Sequence, residues 1–230
     1  PEGCLLNAQP PYPTGGRHAI GHFVPGLIFG ALAEAAADKI QADNGMIDLV
    51  TVQGTHPDGR PISTIHFTAG GFGALEGLDG RDCLPGPSNM ATVPVEIWET
   101  ITGMTVVSKK TIPDSGGPGT FRGGLGQEVT LRNDTGNPMT VLSMANRTEF
   151  PAPGYNNGRP GTLREHRING GVIHPKGAHT LEPLDMMTLV QAGGGGIGDP
   201  ADRPKEKIQR DLSLGLISKE GALRDYGYKT

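Results

Sequence analysis

Residues 191–200 read QAGGGGIGDP, and bare backbone recurs as GGFG (70–73), SGGPG (115–119), RGGLG (122–126) and GRPG (158–161). Glycine has no Cβ, so it lets another stretch of backbone come into direct contact, but it loses the most freedom on ordering. A chain of 230 residues with 37 Gly and 20 Pro is poorly suited to long helices. The glycines follow no collagen period and no repeat. They fall between short apolar runs, which predicts many short strands joined by tight turns.

From Met46 to Met144 the runs IDLVTVQG, STIHFTAGG, VPVEIWETI, MTVVSKKTI, QEVTLRND and MTVLSMAN alternate or carry β-branched residues. GTLREHRING, GGVIHPKG and MMTLVQAGG follow, with Asn169-Gly170 as a two-residue hairpin turn. Upstream, Val24, Leu27, Ile28, Ala31, Leu32 and Ala35 recur at helical spacing, with Pro25 in the first turn. They predict a helix over about 25–41, closed by Asn44-Gly45. Downstream, Asp202 is expected to cap a helix from Pro204, and Ser218 a last helix that stops at Gly227. The expected class is α+β in a single unit without an internal linker. In it a β-rich region over 46–192 lies between an N-terminal helix and a helical tail over 202–227.

Composition narrows the function classes. Net charge is −4 with pI ≈ 6.0, and no Lys/Arg stripe is present, which argues against a nucleic-acid surface. No apolar run approaches the ~18 residues of a membrane span. Cys4 and Cys83 are too few for a disulfide framework and read as reduced thiols of a cytoplasmic protein.

The glycine run itself raises a phosphate cradle. Gly193, Gly195 and Gly198 match G-x-G-x-x-G after a strand-like MMTLVQA. However, no Lys-Ser/Thr follows Gly198, Pro200 and Pro204 delay the helix, and no βαβ unit is in prospect. The favoured reading makes Gly193, Gly194, Gly195, Gly196, Gly198 and Asp199 a close-packing or interface loop. In IPDSGGPGTFRGGLGQE (112–128), Asp114, Ser115 and Arg122 are the catalytic candidates, since bare backbone beside a guanidinium suits a carboxylate or phosphate. The equal alternative is a pair of turns pinned by an Asp114–backbone bond and an Arg122 salt bridge. His18 and His22 are four apart in RHAIGH and would share a helical face. With no third ligand near, they read as a structural or substrate-contacting pair, and no metal is assigned. His56, His66, His166, His174 and His179 read as surface or hydrogen-bonding residues. Glu96 and Glu99, placed on a strand, face opposite sides and form no acid/base pair.

The motifs gain weight together. LLNAQPPYPTGGRHAIGH, PSNMATVPVEIWE, DSGGPGTFRGGLGQE, NRTEFPAPGYNNGRPG, AGGGGIGDPADRP and DLSLGLISKEGALRDYG, in that order, resemble the hydantoinase B family. That family includes N-methylhydantoinase B-type subunits, the matching half of 5-oxoprolinase, and the large subunits of acetone and acetophenone carboxylases. The resemblance spans essentially the whole chain and implies the C-terminal portion of a longer subunit. It further implies a hetero-oligomeric, ATP-dependent enzyme. A hydantoinase A-type partner, using ATP and Mg, phosphorylates the substrate there. The B-type chain then opens a cyclic amide such as a hydantoin, 5-oxoproline or a related lactam. The ketone carboxylase branch, which uses bicarbonate, is the alternative activity, and a non-catalytic scaffold for the complex is the third reading. The family's Asp and His metal ligands lie in NDPY- and GGTH-type motifs that are absent here, so a divalent metal is expected in the preceding portion of the longer chain. RHAIGHFV stands where many hydantoinases carry an SGNVETSQ-like stretch, which through His18 and His22 implies a different ligand.

Overall fold

The computed structural model describes residues 3, 4, 7–12, 20–88 and 90–229. Every second residue is buried along β4 (Gln127–Asn133) and β5 (Met139–Met144), the period of strands that place one face on a core. The other strands are β1 (Ile47–Thr55), β2 (Pro61–Ala69), β3 (Met104–Thr111), β6 (Glu165–Ile168), β7 (Gly171–Val172), β8 (Lys176–Leu181) and β9 (Met186–Val190). They form two antiparallel sheets, ordered β2-β1-β5-β8 and β3-β4-β9-β6-β7. The inner faces share one cluster, with Val50, Val52 and Val141 from the first sheet against Val129, Leu131 and Leu189 from the second. Each such side chain contributes about 1.5–3 kcal/mol on full burial, so this layer is the main cohesive element. The architecture is α+β, with the strands between helical ends.

Several local expectations hold. Asn169 (φ 49) and Gly170 (φ 81) form the two-residue turn between β6 and β7, both left-handed as a type I′ hairpin requires. Helix α4 (Lys219–Tyr226) is capped by Ser218, whose Oγ accepts from Gly221 N at 2.9 Å, and it ends at left-handed Gly227.

Others are corrected. VPVEIWETI is not a strand; Val95–Thr102 forms helix α2, ended by Gly103 in the left-handed conformation. Trp98 and Thr102, four apart, are its buried face, a helical spacing that the β-branched composition obscures. Trp98 seals the edge of the sandwich core and stands 4.4 Å, centroid to centroid, from His66. Glu99 accepts from Val106 N and Glu96 is exposed, so these carboxylates still form no pair. The first helix, α1, covers Val24–Leu32 rather than 25–41. Its last expected turns are lost because Ile40 and Ala42 are buried and Ala42 N and Asp43 N donate to Ala74 O and Pro153 O. Asp202 caps nothing. It lies inside a 3₁₀ turn (Pro200–Asp202) headed by Asp199, and α3 (Lys205–Ser213) starts from Pro204 without a side-chain cap. β8 lies in a run that strand patterning alone does not mark.

One end of the sandwich is unlike the other. Stretches 42–46, 70–74, 115–126, 152–161 and 191–198 all meet there and run side by side in extended form. Gly45 N donates to Gly71 O, Gly71 N to Ala192 O, Gly194 N to Gly124 O, and Gly124 N to Phe72 O, each at 2.8–2.9 Å. The stretches are too close for side chains. A Cβ on Gly71 falls 1.8 Å from Gly124 O, and one on Gly193 falls 1.8 Å from Ser115 O. The glycines are therefore the packing layer of this end.

Candidate functional site

Where the sheets meet the glycine array, the inward positions turn polar. Asp48 on β1, Ser143 on β5, His166 on β6 and Gln191 just past β9 are all at most 1% exposed. His166 bridges Ser143 Oγ and Asp48 Oδ2, each at 2.7 Å, and Gln191 donates to the same oxygen at 2.9 Å. The connectivity is that of a Ser-His-Asp triad. Ser143 nevertheless has no exposed surface, since the alternation of β5 points it inward with Met139 and Val141. It therefore serves as a buried link. Burial alone raises the Asp48 pKa, but the Arg164 charge and the His166 and Gln191 hydrogen bonds hold it well below the usual carboxylate range.

Buried arginines fasten the array. Arg164 donates to the carbonyls of Gly45, Met46, Ile47 and Asn146. Arg147, at φ 59, pairs with Asp43 at 2.6 Å, donates to Asn44 O and stacks over Phe23 at 5.1 Å. It borders an open cavity of about 630 Å³ that Ile20, Phe23, Met144 and Phe150 also line. His22 sits in the turn between Ile20 and Phe23 without lining that cavity. His18 lies outside the described residues.

The three catalytic candidates are engaged separately. Asp114, at φ 62, accepts from Ser218 N at 2.8 Å and so clamps the head of α4 onto the array. Ser115 is fully buried; its Oγ donates to Ile112 O at 2.6 Å and accepts from Gly126 N at 2.9 Å, with no histidine among its hydrogen-bond partners. Arg122, 3% exposed, donates through Nη1 to Gly123 O (2.7 Å) and Asp82 (3.3 Å), while its Nε lies 3.5 Å from Asp211. The amides of the glycine run are engaged as well. Gly193 N donates to Thr162 Oγ1, Gly194 N to Gly124 O, Gly195 N to Asp43 O, Gly196 N to Arg159 O, Ile197 N to Phe121 O and Gly198 N to Tyr155 O. That leaves no N–H between Gly193 and Gly198 for a phosphate.

Arg122 does line one accessible space, a cleft of about 580 Å³ between loop 72–84 and α3. Around it, Arg203 donates to both oxygens of Asp79 (2.7 and 3.0 Å) and to Asp211 (2.7 Å). Burial alone raises the Asp79 pKa, but Arg203 and the Arg122 amide lower it below the usual value, so it is ionised. Nearby Cys83 is pushed up to about 11 by burial and by Asp82, which keeps the thiol protonated. The sequence singles out Arg122 but not Asp79, Asp82, Arg203 and Asp211, which share its cleft or border it; the one available signal is that each lies within a few residues of a glycine or proline punctuation. Among the described residues no three His, Cys, Asp or Glu side chains are placed to hold a metal ion.

The Hydantoinase B/oxoprolinase family model matches residues 1–200. The chain belongs to that family. As a hydantoinase B/oxoprolinase member it is 27% identical over 237 residues to the B component of a putative D-/L-hydantoinase from Pseudomonas sp. (strain NS671), covering 99% of this chain and 39% of the relative. It is 27% identical over 249 residues to the beta component of the caprolactamase of Pseudomonas jessenii, covering 99% and 42%. The chain thus spans about two fifths of the length of these relatives. Two solved structures share the fold. One is the ATP-dependent caprolactamase of P. jessenii, with TM-score 0.75 at 21% identity over 87% of this chain and 37% of that one. The other is a nucleotide-free acetone carboxylase, with TM-score 0.71 at 18% identity over 85% and 31%. No helix among the described residues is long and apolar enough to cross a membrane.

Proposed function

We propose that this chain is part of the B-type component of an ATP-dependent amidohydrolase that opens a cyclic amide ring, a hydantoin, 5-oxoproline or related lactam. The observation that carries the reading is similarity along 99% of the chain to components of a hydantoinase and of a caprolactamase, both named for such rings. ATP and Mg belong to an A-type partner, in keeping with a glycine run whose amides are all engaged. The partner moves the γ-phosphoryl group to the ring amide oxygen. One water then opens the activated ring by breaking its C–N bond, leaving an amine and an acyl phosphate. A second water releases phosphate and a free carboxylate. The present chain supplies the rigid glycine array and the arginine-lined cleft beside it.

The test uses the full-length B-type chain with its A-type partner. The expected result is ADP and ring-opened acid formed in equal amounts from a hydantoin, 5-oxoproline or caprolactam, and only with ATP present. Fixation of labelled bicarbonate into a ketone, without ring opening, replaces this reading with the carboxylase one. Full turnover after the 114–123 and 193–199 loops are made bulkier, with the complex intact, assigns this region a scaffold role.

A further inference from the structure

The cleft beside Arg122 has a charge imbalance. Its three carboxylates are all used internally. Asp79 takes both terminal nitrogens of Arg203 and the Arg122 amide, Asp211 takes Arg203, and Asp82 takes Arg122 and Leu125 N. The cations are not all used. Arg81 and Arg210 line the cleft, and neither guanidinium has a hydrogen-bond or ion-pair partner among the described residues. Arg122 forms no hydrogen bond through Nη2 with any described residue, whereas Lys207 lies 3.9 Å from Asp79 and 4.8 Å over the Phe121 ring. The remaining wall is apolar, including Phe72, Leu216 and Leu78, the last 64% exposed. A space of about 580 Å³ is of the size that takes small ligands.

We propose that this cleft binds a short organic acid, with its carboxylate held by Arg81 and Arg210 over the Arg122 floor and its carbon chain against Leu78 and Leu216. Guanidinium groups suit carboxylates because their paired N–H donors match the two oxygens. With the acids engaged, the cleft favours an anionic group over a lone cation, and the apolar wall selects against a bare inorganic anion. Opening a cyclic amide produces an acid of this class, so the cleft is a place for the ring-opened product. That last identification rests on the proposed function, whereas carboxylate binding itself does not.

Titration calorimetry of the full-length B-type chain, without ATP or an A-type partner, separates the two claims. The probes are sodium hexanoate and 6-aminohexanoate, with 1-hexanol and inorganic phosphate as controls. Saturable binding of both acids is expected, weakening with added NaCl. Arg81→Gln and Arg210→Gln should each weaken it about tenfold, and the double variant should abolish it while keeping the wild-type Tm. Leu78→Ser should weaken hexanoate binding. Absence of saturable acid binding, unchanged affinity in the double variant, or equal binding of phosphate or hexanol overturns the proposal. Hexanoate binding without 6-aminohexanoate binding keeps the carboxylate site and overturns the product assignment. Ring-opening assays of the complex can fail independently of any of these results.

Discussion

Replacing Ser115 with alanine decides between a nucleophile and a structural link. In this structure the Oγ joins Ile112 O at 2.6 Å to Gly126 N at 2.9 Å, inside the glycine array. Ile112 O keeps a second donor, Ser115 N at 3.4 Å, so its loss is partial. Gly126 N has no substitute and becomes an unsatisfied buried donor, costing about 1–3 kcal/mol. For a chain of this size each kcal/mol lowers Tm by roughly 2–4 °C, so a fall of about 5 °C is expected. Differential scanning fluorimetry of Ser115→Ala reads this directly, and urea unfolding gives the free energy. In the full complex, turnover below the new Tm should stay near wild type. An unchanged Tm with turnover lost by orders of magnitude would refute the reasoning and return Ser115 to the catalytic group.

Three further outcomes follow from the same geometry. Gly193→Ala places a Cβ 1.8 Å from Ser115 O, backbone against backbone, and should cost more than the roughly 1–3 kcal/mol of ordinary overpacking; Gly136→Ala, with φ 75 and open space, should cost about 1 kcal/mol, and urea midpoints compare the two. Arg203→Gln strips Asp79 and Asp211 of their shared cation and should destabilise by roughly 3 kcal/mol in the same assay; a loss under about 1 kcal/mol contradicts the network. Burial holds the His66 imidazole down to about 4, below its ordinary 6.5. The unfolded chain therefore takes the proton first, and stability present above pH 6.5 is lost as pH falls toward 4, by up to about 3 kcal/mol. His66→Phe should flatten urea stability across that window, and a variant that keeps the full slope refutes the assignment.

Most strands are readable because they carry period-two patterns, as in QEVTLRN and MTVLSM, and because Asn-Gly fixes one hairpin; their pairing into two stacked sheets is not. The failures share a cause. VPVEIWET has strand-like composition, yet Pro94 and Gly103 bracket eight residues whose buried members stand four apart, and tertiary packing of Trp98 decides the matter. The buried polar groups were not readable. Asp48 and His166 are 118 positions apart, and nothing local in IDLV or REHR shows that their strands end side by side. Arg122 was found because it interrupts a glycine motif. Arg81 and Arg210 look like ordinary surface cations until the fold shows that the neighbouring acids are engaged elsewhere.

A phosphate cradle needs N–H groups that converge and stay free. The run from Gly193 to Gly198 has the composition of one, but it lies in the middle of an array, where each N–H meets an acceptor on a neighbouring stretch. The absence of Cβ atoms serves contact between stretches of the same chain rather than contact with a ligand. Any ligand chemistry of this region therefore falls to side chains at the edge of the array. There the arginines outnumber the carboxylates available to them.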